Sequence, residues 1–141
     1  FFTERIGFSA ALASLEEMES IKSWKIISEK GFNFKERIKH LFDKYKIDIN
    51  INGMDALVSY NVNHHDALAI KTFITQRMLD KKFLAGNLFY PSIAHSDKDT
   101  EDFFASLEVV VIELSQIILS EGNIKEHLRG PMCHSGFQRL N

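Results

Sequence analysis

Apolar residues recur every three or four positions along four segments of the chain, a spacing typical of helices that bury one face. The segments span residues 8–18, 24–45, 66–82 and 96–122, with lysine and glutamate on their polar faces. The sequence therefore predicts four amphipathic helices. Their apolar positions include Ala11, Leu12, Leu15 and Met18; Trp24, Ile27, Phe34, Ile38, Leu41 and Tyr45; Ala67, Ile70, Ile74 and Met78; and Phe103, Leu107, Val110, Leu114 and Ile117.

Residues near the predicted helix ends support these assignments. The stretch from Ser96 to Asp99 resembles a capping box, in which a hydroxyl and a later acid satisfy backbone amides. Asn63, with Asp66 three residues later, predicts an Asx-type start for the third helix.

Gly31 lies inside the second predicted helix, where glycine costs about 1 kcal/mol relative to alanine. We therefore expect a neighbouring element to approach the helix closely at Gly31.

Between the second and third helices the apolar residues alternate with polar ones, as in half-buried strands. Residues 47–52 alternate, an Asn-Gly pair predicts a turn, and residues 56–62 alternate again, so this region is predicted to form an antiparallel hairpin. Residues 83–85 and 88–93 are predicted to be further strands. The order of elements predicts an α+β fold, a small and mainly antiparallel sheet with helices packed on one face.

One domain is expected to span residues 1–141, because no repeat, low-complexity tract or linker divides the chain. Within it we distinguish a leading segment with the first helix (1–22), a core of helices and sheet (23–128) and a tail (129–141). The chain opens on Phe1-Phe2 with neither an initiator methionine nor a signal-like segment. We therefore expect a C-terminal fragment of a longer protein, with these phenylalanines packed against a preceding domain.

Composition and charge exclude several classes of partner. The 141 residues include 17 Lys and Arg scattered among 19 Asp and Glu, with a formal net charge of −2. No basic patch for nucleic acid or a membrane surface is expected, and no apolar run approaches the roughly 20 residues of a membrane-spanning helix. Cys133 is the only cysteine, which excludes an internal disulfide and favours the reducing cytoplasm.

Few residues have the spacing of a catalytic or metal centre. The adjacent His64 and His65 are expected to point in different directions, so no metal site is predicted. Cys133 and His134 are also neighbours, a spacing that rarely gives the geometry of an activated thiol. Glycines are dispersed, without a phosphate-binding loop. Every lysine is predicted to lie on a polar helix face or at the end of an element, and none in the apolar context of a Schiff-base lysine.

Five stretches, in order along essentially the whole chain, are characteristic of one enzyme family. They are Phe2-Thr3-Glu4-Arg5-Ile6-Gly7 followed by residues 9–15; Asn52-Gly53; Phe83-Leu84-Ala85-Gly86-Asn87; Ser92-Ile93-Ala94-His95-Ser96; and residues 133–141. Together they resemble the class III pyridoxal-phosphate-dependent aminotransferases. Among these, the glutamate-1-semialdehyde 2,1-aminomutase-like proteins are the most similar.

The resemblance implies both a fold and a role. The chain would be the C-terminal small domain of a fold-type I homodimer that uses pyridoxal phosphate (PLP) and acts on a small amino-acid-like substrate. In this family the Schiff-base lysine lies in the preceding large domain, so the fragment alone is expected to be inactive. It would complete the active site and the dimer interface. Thr3 aligns with a threonine that, in this family, contacts the cofactor phosphate of the neighbouring subunit, which a hydroxyl beside a helix start suits.

Two departures from the family leave the substrate open. The loop before Ser92 is shorter than in aminomutases, and Phe8 stands where the family usually has proline. Transfer of an amino group to another amino acid or amino sugar precursor fits as well as an intramolecular shift. The residues alone also leave open an independent α+β binding or interaction module, or a small enzyme with His95 or His134 as general base. For the small-enzyme alternative, the sequence offers no carboxylate or second base at a recognisable spacing from either histidine.

Overall fold

The computed structural model describes residues 4–136 and has an α+β fold, which confirms the predicted class. Four helices and a three-stranded sheet make up this part of the chain. In chain order the elements are α1 (Arg5–Ile21), α2 (Ser23–Lys44), β1 (Ile49–Asn52), β2 (Val58–Val62), α3 (Ala67–Asp80), β3 (Leu88–Phe89), α4 (Asp97–Leu119) and a 3₁₀ turn (Ile124–His127). Within residues 4–136, no helix is both long and apolar enough to cross a membrane.

The strands form an antiparallel sheet in the order β1-β2-β3. Ile49 pairs with Val62 at one end of the β1–β2 hairpin, and Asn52 pairs with Ser59 at the other. Side chains of β2 alternate between buried and more exposed positions. This alternation arises because one face of the sheet packs on the helices and the other does not. The predicted hairpin is confirmed.

The predicted strand at 83–85 is wrong, and the one predicted at 88–93 is reduced to Leu88–Phe89. The amide of Phe83 donates to the carbonyl of Met78 at 2.9 Å, so this stretch closes the end of α3. β1 and β3 occupy the two edges of β2, so β2 has no edge left to pair with residues 83–85. Phe83 and Ala85 instead pack their side chains against the core.

The hydrophobic core lies between the sheet and helices α2, α3 and α4. Its largest side chains are fully buried, and they include Ile38, Phe42, Ile70, Phe73, Met78, Leu107 and Leu114. At the rim, α4 forms ion pairs with both neighbouring helices: Arg37 with Glu101, Lys44 with Glu108, and Arg77 with Glu113. No residue of α1 is buried, so α1 lies outside this core.

Gly31 has the close neighbour that the sequence predicts. A Cβ at this position would lie 1.6 Å from the carbonyl oxygen of Asp55, which belongs to the turn between β1 and β2. One turn further along α2, the Lys35 ammonium donates to the carbonyl of Gly53 and to the Asp55 carboxylate, each at 2.8 Å. Helix α2 therefore packs directly on the backbone of the hairpin turn.

The capping box at the start of α4 is confirmed. The Asp99 amide donates to the Ser96 hydroxyl at 3.1 Å, and the Ser96 amide donates to the Asp99 carboxylate at 3.0 Å. Hydrogen bonds from the Ser96 side chain and backbone lower the pKa of the Asp99 carboxyl group. The carboxylate form of Asp99 is therefore part of the cap.

The predicted Asx-type start of α3 is wrong. The side-chain amide of Asn63 donates to the Asp48 carboxylate at 2.8 Å, and its backbone amide donates to the Asp48 carbonyl at 2.9 Å. Asn63 thus extends the pairing of the hairpin and does not cap the helix. Asp66 precedes the first helical residue but makes no side-chain cap bond.

Replacement of Ser96 by alanine is expected to lower the free energy of unfolding by about 1 kcal/mol, because the Asp99 amide loses its acceptor. Ser106→Ala is the matched control, since Ser106 lies within α4 and caps nothing. Urea unfolding followed by circular dichroism measures both. The difference in free energy of unfolding between the wild type and Ser96→Ala should become smaller as the pH falls through the lowered pKa of Asp99, because a protonated carboxyl group no longer completes the cap. Equal losses in the two variants would contradict the capping role.

Candidate functional site

Thr3, the residue predicted to bind the cofactor phosphate, lies outside the described residues, as do Phe1 and Phe2. The described chain begins at Glu4, and α1 begins at Arg5. No side chain caps the first turn of α1, and that turn contains no acidic residue. Its backbone N–H groups therefore lack a side-chain acceptor among residues 4–136, a situation that suits a nearby anion.

Helix α1 carries an apolar face that no other part of the described chain buries. Phe8, Leu12, Leu15 and Met18 recur on one side of the helix, and we call them the α1 face. Their side chains are exposed by 71%, 59%, 62% and 44%. Each of the other three helices buries several residues, whereas α1 buries none. Exposed apolar faces of this kind are typical of protein–protein contacts, membrane-surface contacts and ligand-binding grooves.

The sequence of α1 gives the helix little stability of its own. Glu16, Glu17 and Glu19 lie in its second half, and its last turn contains no basic residue. The C-terminal end of a helix dipole favours cations, so these acids are placed unfavourably. Most of the stability of helices in proteins comes from the packing of an amphipathic face. Within residues 4–136, α1 buries no residue that could provide such packing.

The junction between α1 and α2 adds to this exposed surface. Lys22 links the two helices in a left-handed conformation with φ of 52°. The adjacent Ser23 is buried, and its hydroxyl has no hydrogen-bond partner among the described residues. Trp24 follows at the start of α2 and is 48% exposed. Trp24 thus adds a partly exposed aromatic side chain at the start of α2.

The prediction that His64 and His65 point in different directions is wrong. Their rings lie 4.1 Å apart between centroids, and with Asp66 they form a group whose ligand atoms are close enough to approach one metal ion. Two of these three side chains already have partners. His64 Nδ1 accepts from the Asp66 amide at 3.1 Å, and the Lys125 ammonium lies 3.1 Å from the Asp66 carboxylate. The hydrogen bond from Lys125 lowers the pKa of Asp66, so a metal would compete with a cation already in place.

The predicted general-base candidates occupy separate places in the fold. His95 Nδ1 accepts from the Ser92 amide at 3.1 Å, and its ring packs 5.4 Å from that of Phe89. His134 is exposed in the tail. The amide of Cys133 donates to the Thr72 hydroxyl at 3.0 Å, and its thiol lies 3.5 Å from a carbonyl of α3. The contacts of His95 and Cys133 order the local backbone and bring no catalytic pair together.

Comparison of the chain with known proteins found no matching family model, no matching curated protein and no matching solved structure. A functional assignment therefore depends on the residues of the chain and on how the fold arranges them.

Proposed function

We propose that the chain is the C-terminal small domain of a class III PLP-dependent aminotransferase or aminomutase. In this proposal the α1 face docks on the large cofactor-binding domain, and the small domain completes the active site of a cytoplasmic homodimer. The observation that carries the proposal is the α1 face, whose apolar side chains are largely exposed within the described chain. A helix that joins two domains of one enzyme would carry such a face.

The positions of the family-like stretches also support the proposal. Asn52-Gly53 falls at the hairpin turn, where Gly53 has a φ of 87°. Residues 83–87 form the loop before β3, and Ser92 to Ser96 form the loop that ends in the α4 cap. Binding residues are commonly found on loops held by a rigid scaffold. These stretches would thus be available to line a shared active site.

The residues of this chain would have a supporting role in catalysis. Thr3 and the uncapped amides of the first turn of α1 would hold the phosphate of the cofactor belonging to the neighbouring subunit. When bound, PLP supplies the electron sink of amino-group chemistry, and its Schiff-base lysine would lie in the preceding domain. The small domain would exclude water and position a small amino-acid-like substrate. No residue of this chain is assigned to covalent chemistry.

The full-length protein that contains this chain is expected to retain PLP, and borohydride is expected to fix it on a lysine outside residues 1–141. In that protein, Leu12→Asp should weaken PLP retention and lower the free energy of unfolding by about 2 kcal/mol, because it places a carboxylate in an apolar contact. In residues 1–141 alone, the same substitution should leave the urea midpoint nearly unchanged, because Leu12 is exposed there. Peptide mass spectrometry and urea titrations provide the readouts.

Ala13→Asp is the matched control for this experiment, because helical spacing places Ala13 on the side of α1 opposite the α1 face. Equal effects of Leu12→Asp and Ala13→Asp in the full-length protein would contradict docking through the α1 face. Trapping of PLP on a lysine of residues 1–141 would overturn the proposal as a whole. Trapping on no lysine at all would favour the second candidate, an independent α+β binding module.

A further inference from the structure

A second candidate site lies between β2, α3 and the tail. It is a cavity of about 180 Å³. Asn61 of β2, Lys71 of α3 and Asn87 before β3 line it together with His134 and Ser135 of the tail. These residues come from four separate parts of the chain, so the folded structure alone creates this grouping.

Among the described residues that line this cavity, Lys71 carries a positive charge and no side chain carries a negative one. Lys71 is half-buried, and within residues 4–136 it makes neither an ion pair nor a hydrogen bond. A partly buried ammonium loses hydration, and an anion that reaches it restores the lost interaction. The cavity therefore favours a negatively charged ligand.

The two asparagines provide hydrogen-bond donors in the lining of the same cavity as Lys71. The Asn87 side-chain amide donates to the Asn61 side-chain carbonyl at 3.1 Å. This bond uses one N–H of Asn87 and leaves its second N–H, and both N–H groups of Asn61, for a ligand. Ala67, Leu68 and Ile74 give the same cavity an apolar part. The lining thus combines donors for an anionic group with a surface for a short hydrocarbon group.

The tail wall of the cavity is held in place by contacts with α3. The Cys133 amide donates to the Thr72 hydroxyl, and the Cys133 thiol lies against the Leu68 carbonyl. These contacts position His134 and Ser135 directly beside the cavity. On the opposite side, the Tyr60 hydroxyl donates to the Gly86 carbonyl at 3.3 Å, which joins β2 to the loop before β3. The cavity is therefore bounded by anchored segments.

We infer that this cavity binds a small aliphatic monocarboxylate. The carboxylate interacts with the Lys71 ammonium and the amide N–H groups of Asn61 and Asn87, and the hydrocarbon part packs on Ala67 and Ile74. A phosphate, with its greater charge and hydration, matches the apolar part less well. The inference does not depend on the proposed enzyme family. All described residues that line the cavity lie within 60–136, so the site needs neither α1 nor a preceding domain.

Binding of 2-methylpropanoate to ¹⁵N-labelled protein, followed by amide chemical shifts at constant ionic strength, tests this inference. Saturable shifts are expected at Asn61, Lys71, Asn87 and Ser135. 2-Methylpropanamide, the uncharged analogue of the same shape, is expected to bind more weakly by about tenfold or more, because it lacks the charge that Lys71 binds. Equal binding of the carboxylate and the amide would overturn the inference.

Lys71→Met is expected to weaken 2-methylpropanoate binding by about tenfold or more, because it keeps most of the side-chain length and removes the ammonium. Lys39→Met is the matched control, since Lys39 is an exposed lysine of α2 that lies away from the cavity lining, and it should bind as the wild type does. The same spectra report whether each variant is folded. Unchanged binding by a folded Lys71→Met variant, or shifts that cluster away from the cavity, would overturn the inference.

Discussion

Replacement of Gly31 by alanine is expected to lower the free energy of unfolding by about 3 kcal/mol. The new Cβ would lie 1.6 Å from the Asp55 carbonyl oxygen and 2.6 Å from its carbon, so the backbone of α2 or of the hairpin turn would have to move. The turn resists this movement because Lys35 binds it at Gly53 and Asp55. The clash outweighs the gain of about 1 kcal/mol in helix propensity that alanine gives. Urea unfolding monitored by circular dichroism measures the loss.

Gly7→Ala provides the matched control, because Gly7 also lies inside a helix but has no atom within 4 Å of its added Cβ. This variant should be unchanged or stabilised by up to about 1 kcal/mol. The pair separates close packing from the conformational freedom of glycine, which both substitutions reduce. If Gly31→Ala lowered the free energy of unfolding by no more than an ordinary surface substitution does, about 0.5 kcal/mol, the close contact between α2 and the hairpin turn would be contradicted.

Gly31 also illustrates how far the sequence predicts this fold. A glycine inside a strong helical pattern indicates close approach, and alternation around Asn52-Gly53 indicates a hairpin, so both features follow from local spacing. The stretch 83–85 has the apolar character of a strand, but it pairs with none of the three strands, and its Phe83 amide instead bonds to the end of α3. Strand pairing depends on the whole sheet, and a short apolar run does not contain that information.

The candidate sites were harder to predict than the helices and the hairpin. The spacing of Leu12 and Leu15 predicts an amphipathic α1. The same spacing is found whether the apolar face of a helix is buried in the core of its domain or left exposed on the surface. Lys71 was predicted to lie on a polar helix face, yet the structure places it half-buried beside Asn87 and His134. These three residues are separated along the chain, so no motif spacing could have grouped them.

The predicted apolar stripe of α3 omitted Phe73, and the structure shows why this residue matters. Phe73 is fully buried because α3 contacts β2, α4 and the 3₁₀ turn, so a wider arc of this helix is covered than a single stripe suggests. The Arg77 guanidinium stacks 4.8 Å from the Phe73 ring centroid and also binds Glu113 of α4. The ring therefore contributes to the core and supports the link between α3 and α4.

Phe73→Ala is expected to lower the free energy of unfolding by about 4 kcal/mol, because it leaves a cavity in the core and removes the surface under Arg77. Domains of this size are commonly stable by about 5–15 kcal/mol, so the variant should be close to its folding threshold. Phe73→Leu refills much of the space and should cost about 1.5 kcal/mol. Phe32→Ala should cost less, because Phe32 is 54% exposed on α2. If urea titrations gave equal losses in the free energy of unfolding for Phe73→Ala and Phe32→Ala, the burial of Phe73 between α3, α4 and the sheet would be contradicted.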